Sequence, residues 1–320
     1  MTAALSTAAP ALPPVTPGFV HAPVMLEATL RLLDPQPGGR FLDGTLGGGG
    51  HSAALLEAVG PTGLVVSLDR DPHALAAAGQ RLAPFGAASL RLRGRFSDMV
   101  ALAGAHGPFD GVLLDIGTSS PQLDHAARGF SFQHDGPLDM RMDPDGGESA
   151  AELIDRLDEE ALADIIFRYG EEPRSRRIAR ALVAGRPWSR TAALAEAVAK
   201  ASGWQGSRTH PATKTFQALR IAVNDELGEL ERALPAAISL LRPGGRLALI
   251  SFHSLEDRIV KGFFRDGAAI GTARDAYGQP LSPPTLRLLT RRPLDGAEED
   301  PSNPRARSAR LRVAERLPSA

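Results

Sequence analysis

The sequence predicts an α/β fold: a mostly parallel sheet with an antiparallel edge, into which an all-helical subdomain is inserted. Three observations carry this expectation. Short apolar runs that end in an acidic residue alternate with helical stretches as far as Asp115. The rhythm then stops for about a hundred residues that show helical periodicity alone. It resumes with a helix, a Pro-Gly-Gly turn and one more strand, and the chain closes on two short strand patterns.

Taken in order, Val24 to Leu33 carries apolar residues at helical spacing and stops at Asp34, Pro35 and Pro37. Arg40 to Asp43 reads as a strand, Gly44 to Gly50 as a loop and Ser52 to Val59 as a helix. Leu64 to Leu68, ending in Asp69, is a second strand; Pro72 to Leu82 follows as a helix and Leu90 to Leu92 as a weaker strand. Val112 to Leu114 forms a fourth strand, ended by Asp115. Helices are expected over Ala150 to Ile166, Arg174 to Ala184 and Thr191 to Ala201, with Gly, Pro and Trp between them. After the gap come a helix from Asp225 to Leu241, the turn Arg242-Pro-Gly-Gly and the strand Arg246 to Phe252. Thr285 to Leu289 and Ser308 to Ala314 suit an antiparallel pair at a sheet edge, with Gly296 to Arg305 as a surface loop. The organisation is therefore a tail (1–20), a first catalytic-domain part (21–124), a helical insertion for substrate recognition (125–223) and a second part (224–320).

The bulk numbers remove several classes. A chain of 320 residues with 43% hydrophobic and 23% charged residues is an ordinary globular protein, long enough for a large domain and a smaller unit. No cysteine means no disulfide framework, no thiolate metal site and no thiol nucleophile, which fits a cytoplasmic enzyme. No apolar run approaches the roughly 18 residues that cross a bilayer, and the opening stretch lacks the charged and apolar regions of a signal peptide. Net charge is -1, so any nucleic-acid affinity must come from charge gathered on one face. The cations are almost all Arg, which suits phosphate contacts or reflects a coding bias.

Gly47 to Gly50 stand between a strand and a helix, where backbone can approach a ligand and the helix start offers unpaired N–H groups to an anion or carboxylate. Asp69 ends the next strand, where a carboxylate accepts ribose hydroxyls in nucleoside-binding α/β folds; capping the helix at Pro72 is the plainer alternative. Gly48, Gly50 and Ala53 match a loose dinucleotide pattern, so an NAD-dependent dehydrogenase stays open at this point. A phosphate loop is disfavoured, because Gly50 and His51 stand where Lys and Ser/Thr would be needed.

Asp115 opens Ile-Gly-Thr-Ser-Ser-Pro-Gln at a second carboxyl strand end, the expected reaction zone. Phe130, Phe132 and the segment Pro137 to Met142 suit either a lining loop on which a base stacks or core beneath a loop. Arg174, Arg176, Arg177 and Arg180 share one helix, and Arg208, Lys214 and Arg220 follow; they read as a phosphate grip or as a solvated face balanced by Glu171 and Glu172. His210 and His253 show no metal-ligand spacing, so no metal is expected. Ser254 and Asp257 are expected to cap a helix, with a site role for His253 or Glu256 as the alternative.

Longer blocks are collinear with one family. These are His21-Ala-Pro-Val-Met-Leu, Asp43-Gly-Thr-Leu-Gly-Gly-Gly-Gly-His-Ser, Ser119-Ser-Pro-Gln-Leu-Asp, Arg128-Gly-Phe-Ser-Phe, Gly136-Pro-Leu-Asp-Met-Arg-Met, Tyr169-Gly-Glu-Glu, His210-Pro-Ala-Thr-Lys-Thr-Phe-Gln-Ala-Leu-Arg, Val223-Asn-Asp-Glu-Leu, Ser251-Phe-His-Ser-Leu-Glu-Asp-Arg and Asn303-Pro-Arg-Ala-Arg-Ser. Over about residues 21 to 316 the chain resembles the RsmH/MraW family. The resemblance implies a class I, Rossmann-like S-adenosylmethionine-dependent methyltransferase that modifies a cytosine amino nitrogen (N4) in the decoding region of 16S ribosomal RNA. By the same resemblance, cofactor contacts fall on Gly49, Gly50, His51, Asp69, Phe96, Asp115 and Gln122. It sets the dehydrogenase aside and makes 16S rRNA, in the small ribosomal subunit, the partner; a homodimer and a non-catalytic rRNA-binding assembly factor remain open. Two features depart from common patterns: Gly48 stands where the family often has Arg, and no D/N-P-P-Y/F signature follows Asp115. Asp115 is then the catalytic candidate, as acceptor for an N–H of the target amino group.

Overall fold

In the protein's structure, a computed structural model, residues 23–206, 210–270, 277 and 283–318 are described, with 120 and 121 described in backbone alone. The tail 1–20 and Arg208 lie outside them. Strands β1 (Arg40–Asp43), β2 (Leu64–Asp69), β3 (Ser89–Arg93), β4 (Phe109–Asp115), β5 (Leu241–Ser251), β6 (Leu286–Leu288), β7 (Leu294–Asp295) and β8 (Arg310–Arg316) form one sheet. Its order is β3-β2-β1-β4-β5-β8-β6, with β7 also on β8. The first five strands pair parallel, and β8 runs antiparallel to β5, β6 and β7, which is the edge the sequence predicts.

Both faces of the sheet are covered, which is why its strands read as continuous apolar runs. Successive residues alternate between faces. In β4 and β5, Val112, Leu114, Leu247 and Leu249 join one core with α4 (Met99–Ala103), while Leu113, Ala248 and Ile250 join the other. That second core is closed by α1 (Leu26–Leu33), α2 (Gly50–Val59) and α3 (Pro72–Leu82).

After the short helix α5 (Ser120–Asp124), the inserted lobe contains α6 (Ala150–Arg156), α7 (Glu159–Gly170), α8 (Ser175–Ala184), α9 (Thr191–Ser202) and α10 (Ala212–Asn224). It holds a third core of its own, running from Leu138 to Leu219. The single helix expected over Ala150 to Ile166 is two, because Asp158 turns extended and its side chain caps Ala161 N–H of α7. Helix α10 was not foreseen.

The chain returns through α11 (Glu226–Leu240), which with α12 (Ser254–Gly267) completes the first core. The Pro-Gly-Gly turn is absorbed into β5 as an irregularity, since Phe109 pairs Leu241 and Gly111 already pairs Arg246. The caps expected at α12 are corrected: His253 and Glu256 form the capping box. Ser254 instead donates to Glu171, and Asp257 takes a bidentate bond from Arg312 of β8. The surface loop expected over Gly296 to Arg305 carries α13 (Gly296–Glu299) and a 3₁₀ turn, and Asp300 accepts Met25 N–H at 3.0 Å to tie it to α1. Among the described residues no helix is long and apolar enough to cross a membrane.

Candidate active site

The chain passes β1, β2 and β3 to one side and then places β4 on the other side of β1, so a crevice opens at the carboxyl ends of β1 and β4. Asp43, Asp69 and Asp115 end three of these strands. Asp69 and Asp115, together with the β1–α2 loop, Phe252 just after β5, Arg220 of α10, Glu226 of α11 and Glu256 of α12, line a cleft of about 790 Å³.

Local backbone chemistry builds the loop. Gly47 and Gly49 take φ of +49° and +74°, which turns the chain from β1 into α2. A Cβ on Gly50 would lie 2.9 Å from the Pro23 ring, so only glycine lets the helix start pack there. A Cβ at Gly48 would meet nothing within 4 Å, so a longer side chain would find open space there. Asp69 fastens the loop: its carboxylate accepts Gly47 N–H and Asp71 N–H, both at 2.9 Å. Burial pushes the Asp69 carboxyl up to about 6, against those two N–H bonds. The helix-cap alternative for Asp69 is corrected, since Asp71 caps α3 by accepting from His73 N–H.

Asp43 is 1% exposed and was not singled out from sequence. It accepts Ser52 Oγ–H at 2.6 Å and Thr45 N–H at 3.0 Å, and Thr45 Oγ1 in turn accepts Asp115 N–H at 2.7 Å. The base of the loop is thereby welded to the end of β4. Its signal was present, a carboxylate at a carboxyl strand end opening the longest glycine block.

His51 is buried, and its Nε2 lies 3.1 Å from the Val24 carbonyl oxygen. A carbonyl only accepts, so Nε2 carries the proton and Nδ1 turns a lone pair to Asp115 Oδ2 at 3.6 Å. Burial lowers the His51 pKa despite the Asp43 charge and the Val24 bond, which keeps the ring neutral. Burial, reinforced by the charges of Asp43 and Glu256, pushes the Asp115 carboxyl up to about 8. Its Oδ1 is buried with no hydrogen-bond partner.

Of the seven residues implied as cofactor contacts, Gly50, His51, Asp69, Phe96, Asp115 and Gln122 line the cleft; Gly49 turns beneath it against Ala78. The Gln122 amide is fixed between Ser119 N–H and the Asp71 carboxylate. Phe130 is 7% exposed with the Arg128 guanidinium 5.8 Å from its ring centroid, so the reading of Phe130 as core is the one the packing supports. Phe132 is half-buried, with ring centroids 4.9 Å from His210 and 5.0 Å from Phe216.

Arg174, Arg176, Arg177 and Arg180 are all exposed. The balance expected from Glu171 and Glu172 does not form. Glu171 serves Ser254 and Arg258, Glu172 is buried, and among the described residues only Arg180 of the four is paired, with Glu159. Lys214 caps α7 by donating to the Glu171 carbonyl oxygen.

The fold also gathers Glu226, His253 and Glu256, whose ligating atoms lie within 4.8 Å of one another, which spacing along the chain did not reveal. Three of their four carboxylate oxygens carry hydrogen bonds. Both Glu226 oxygens accept from Arg220, Glu256 Oε2 accepts the N–H groups of Phe252 and His253, and His253 Nε2 lies 3.1 Å from Glu256 Oε1.

Three curated relatives, each named ribosomal RNA small subunit methyltransferase H, match most of the chain. That of Thermomicrobium roseum is 51% identical over 93% of this chain and 94% of its own. Those of Heliobacterium modesticaldum and Trichlorobacter lovleyi are 49% and 50% identical, each over 93% of this chain and 99% of the relative. A solved structure titled as a putative rRNA-methylase from Clostridium thermocellum covers 93% of this chain and 100% of its own at 13% identity and a TM-score of 0.45, too loose a match to carry more. The model of the MraW methylase family matches residues 18–317, and with half-identical relatives over nearly the whole length, the chain belongs to that family.

Proposed function

We propose that the protein transfers a methyl group from S-adenosylmethionine to N4 of a cytosine in the decoding region of 16S ribosomal RNA. The observation that carries this reading is the arrangement of one cleft: a glycine loop held on Asp69, with the buried carboxyl of Asp115 beside it. The residues present fit the cofactor. Asp69 spends one lone pair of each oxygen on backbone N–H groups and keeps the others for ribose hydroxyls. The start of α2 at Gly50 and His51 offers N–H groups to a carboxylate, and Phe96 and Gln122 line the same cleft. When bound, the cofactor supplies an electrophilic methyl group on a positively charged sulfur.

The chain's own share is alignment and charge. Holding the amino nitrogen in line with the methyl carbon supplies most of the acceleration, and the cleft walls exclude water. A cytosine amino group is a poor nucleophile because its lone pair is delocalised into the ring. Asp115, once ionised, accepts one of its N–H bonds and helps localise that pair. A positive charge held in the cleft favours the ionised form. The proton that the amino nitrogen loses as its bond to the methyl carbon forms passes to Asp115, whose raised pKa suits it to hold that proton, and neutral His51 turns its Nδ1 lone pair to the same carboxyl.

The RNA reaches the site through the inserted lobe. Arg174, at the start of α8, and Arg176 and Arg177 on it present exposed cations with no ion-pair partner among the described residues, and Phe132 offers an aromatic ring to a base taken out of its stack. The substrate is the 16S rRNA of the small subunit, in the cytoplasm. Transfer of tritium from labelled S-adenosylmethionine to small-subunit particles and to free 16S RNA, followed by nucleoside identification, tests the reading. Label in N4-methylcytidine is expected; label in another nucleoside, or none, overturns it and favours an assembly role.

A further inference from the structure

We propose that Arg220, clamped by Glu226, reads the acceptor edge of the target base, the ring N3 and O2 of cytosine. This rests on the reading of a cytosine amino group as methyl acceptor.

Arg220 sits one turn before the end of α10 and Glu226 in the first turn of α11. The pair is a two-bond fork, Nε to Oε1 and Nη2 to Oε2, each 2.8 Å, with side chains only 17% and 9% exposed. The fork uses one edge of the guanidinium. Nη1 makes no hydrogen bond to any described residue, and Arg220 lines the cleft with Glu226, Glu256, Phe252 and Asp115. Glu256 bears electrostatically on both Asp115 and Arg220, and all three line the same cleft. Its Oε2 is taken up by the backbone N–H groups of Phe252 and His253, and its Oε1 lies 3.1 Å from His253 Nε2.

This setting differs from that of Arg176 and Arg177, exposed cations suited to phosphate. Arg220 is neutralised by a carboxylate, rigid, and largely withdrawn from water. Such a group is a poor hook for a mobile phosphate and a good oriented donor toward a neutral acceptor. Cytosine matches a cleft with a hydrogen-bond acceptor at Asp115 and a donor at Arg220. Its amino group donates, while N3 and O2 accept. Uracil carries N3–H and a carbonyl at position 4, so it would oppose donor to donor and acceptor to acceptor. Sites built to hydrogen-bond a substrate reject analogues lacking the partner because their own buried groups are left unpaired.

The test uses small-subunit RNA carrying cytidine, 3-deazacytidine or 2-thiocytidine at the methylated position, with single-turnover kcat/KM as the readout. Wild-type enzyme is expected to lose about tenfold to a hundredfold on at least one analogue, the scale of one charged hydrogen bond. Arg220→Gln is expected to lose a similar factor on cytidine, to bind S-adenosylmethionine with unchanged calorimetric affinity, and to treat that analogue and cytidine within about threefold of each other. Analogue penalties as large in Arg220→Gln as in wild type overturn the assignment, as does a wild type that discriminates against neither analogue. If Arg220→Gln does not fold, Arg220→Lys keeps the charge without the fork, and it too must lose the analogue penalty. A wild type that methylates no cytosine fails before any variant is made, and that failure belongs to the parent reading rather than to Arg220.

Discussion

Replacing Asp115 by Asn isolates the most perturbed group in the cleft. Burial, with the charges of Asp43 and Glu256 behind it, raises this carboxyl from 3.8 to about 8. At 1.36 kcal/mol per pH unit, ionising it costs about 6 kcal/mol more in the folded protein than in the unfolded chain. The folded state holds the proton more tightly, so stability falls as pH rises from about 4 to about 8 and is lowest above that range. Asn keeps the shape and never ionises. The stability of Asp115→Asn relative to wild type should therefore grow from near zero at pH 4, to about 4 kcal/mol at pH 7, to about 6 kcal/mol at pH 9. Asp69 and Glu229 titrate in both proteins and cancel in the difference. Denaturant unfolding of the cofactor-free proteins across pH 4 to 9, at one ionic strength, reads the effect. The chemistry moves oppositely: wild-type kcat/KM should climb about tenfold per pH unit as the carboxylate forms, levelling off below about pH 8 because the cofactor's positive charge favours the ionised form. Asp115→Asn should keep S-adenosylmethionine affinity and lose most of its single-turnover rate at every pH. A stability difference that stays constant from pH 4 to 9 refutes the burial argument; wild-type turnover by the variant refutes the catalytic one.

Asp69→Ala removes the acceptor for both Gly47 N–H and Asp71 N–H, and isothermal calorimetry should show cofactor affinity weaker by about tenfold or more while the fold is retained. Wild-type affinity should also weaken below about pH 6, where Asp69 takes up a proton. Replacing Arg174, Arg176 and Arg177 together by Ala should reduce the slope of log affinity for RNA against log salt by about 2, at about 0.7 to 0.9 per lost phosphate contact; an unchanged slope would leave α8 a solvated face. Asn224→Ala leaves Met142 N–H and the Met140 carbonyl without the bonds that hold them at 2.8 Å, and chemical denaturation should show a loss of about 2 to 4 kcal/mol.

What could be read along the chain was whatever repeats with a local period. Strand β1 and helix α3 fall where the pattern puts them, because a strand buried on both faces is an apolar run and Pro72 can open a helix but not continue one. Helix α10 escaped because its Thr, Gln, Lys and Arg residues draw attention to charge rather than to Phe216 and Leu219, which it buries. The site was legible as strand ends and a glycine loop. Its couplings were not. Asp43 to Ser52, Arg70 to Glu229 and Asn224 to Met142 join residues whose spacing, from 9 to 159 positions, follows no motif. The same holds for charge. Sequence shows four arginines between Arg174 and Arg180 but not that Glu171 and Glu172 face elsewhere, which only the tertiary fold decides.

The insertion is joined to the sheet at the points where chemistry is placed. Arg128, in the 3₁₀ turn that follows α5, forms an ion pair of 2.6 Å with Asp71, the residue whose N–H holds Asp69. Arg70 reaches Asn224 at the end of α10 and Glu229 in α11, and Asn224 holds Met140 and Met142. These groups are buried, so each bond is worth most when its partner is in place and costs most when it is lost. A lobe tied in this way cannot shift without disturbing the aspartate that fastens the glycine loop. Cofactor seat and RNA-bearing lobe therefore share one hydrogen-bonded frame, and Arg220, at the same end of α10 as Asn224, is carried to the cleft by that frame.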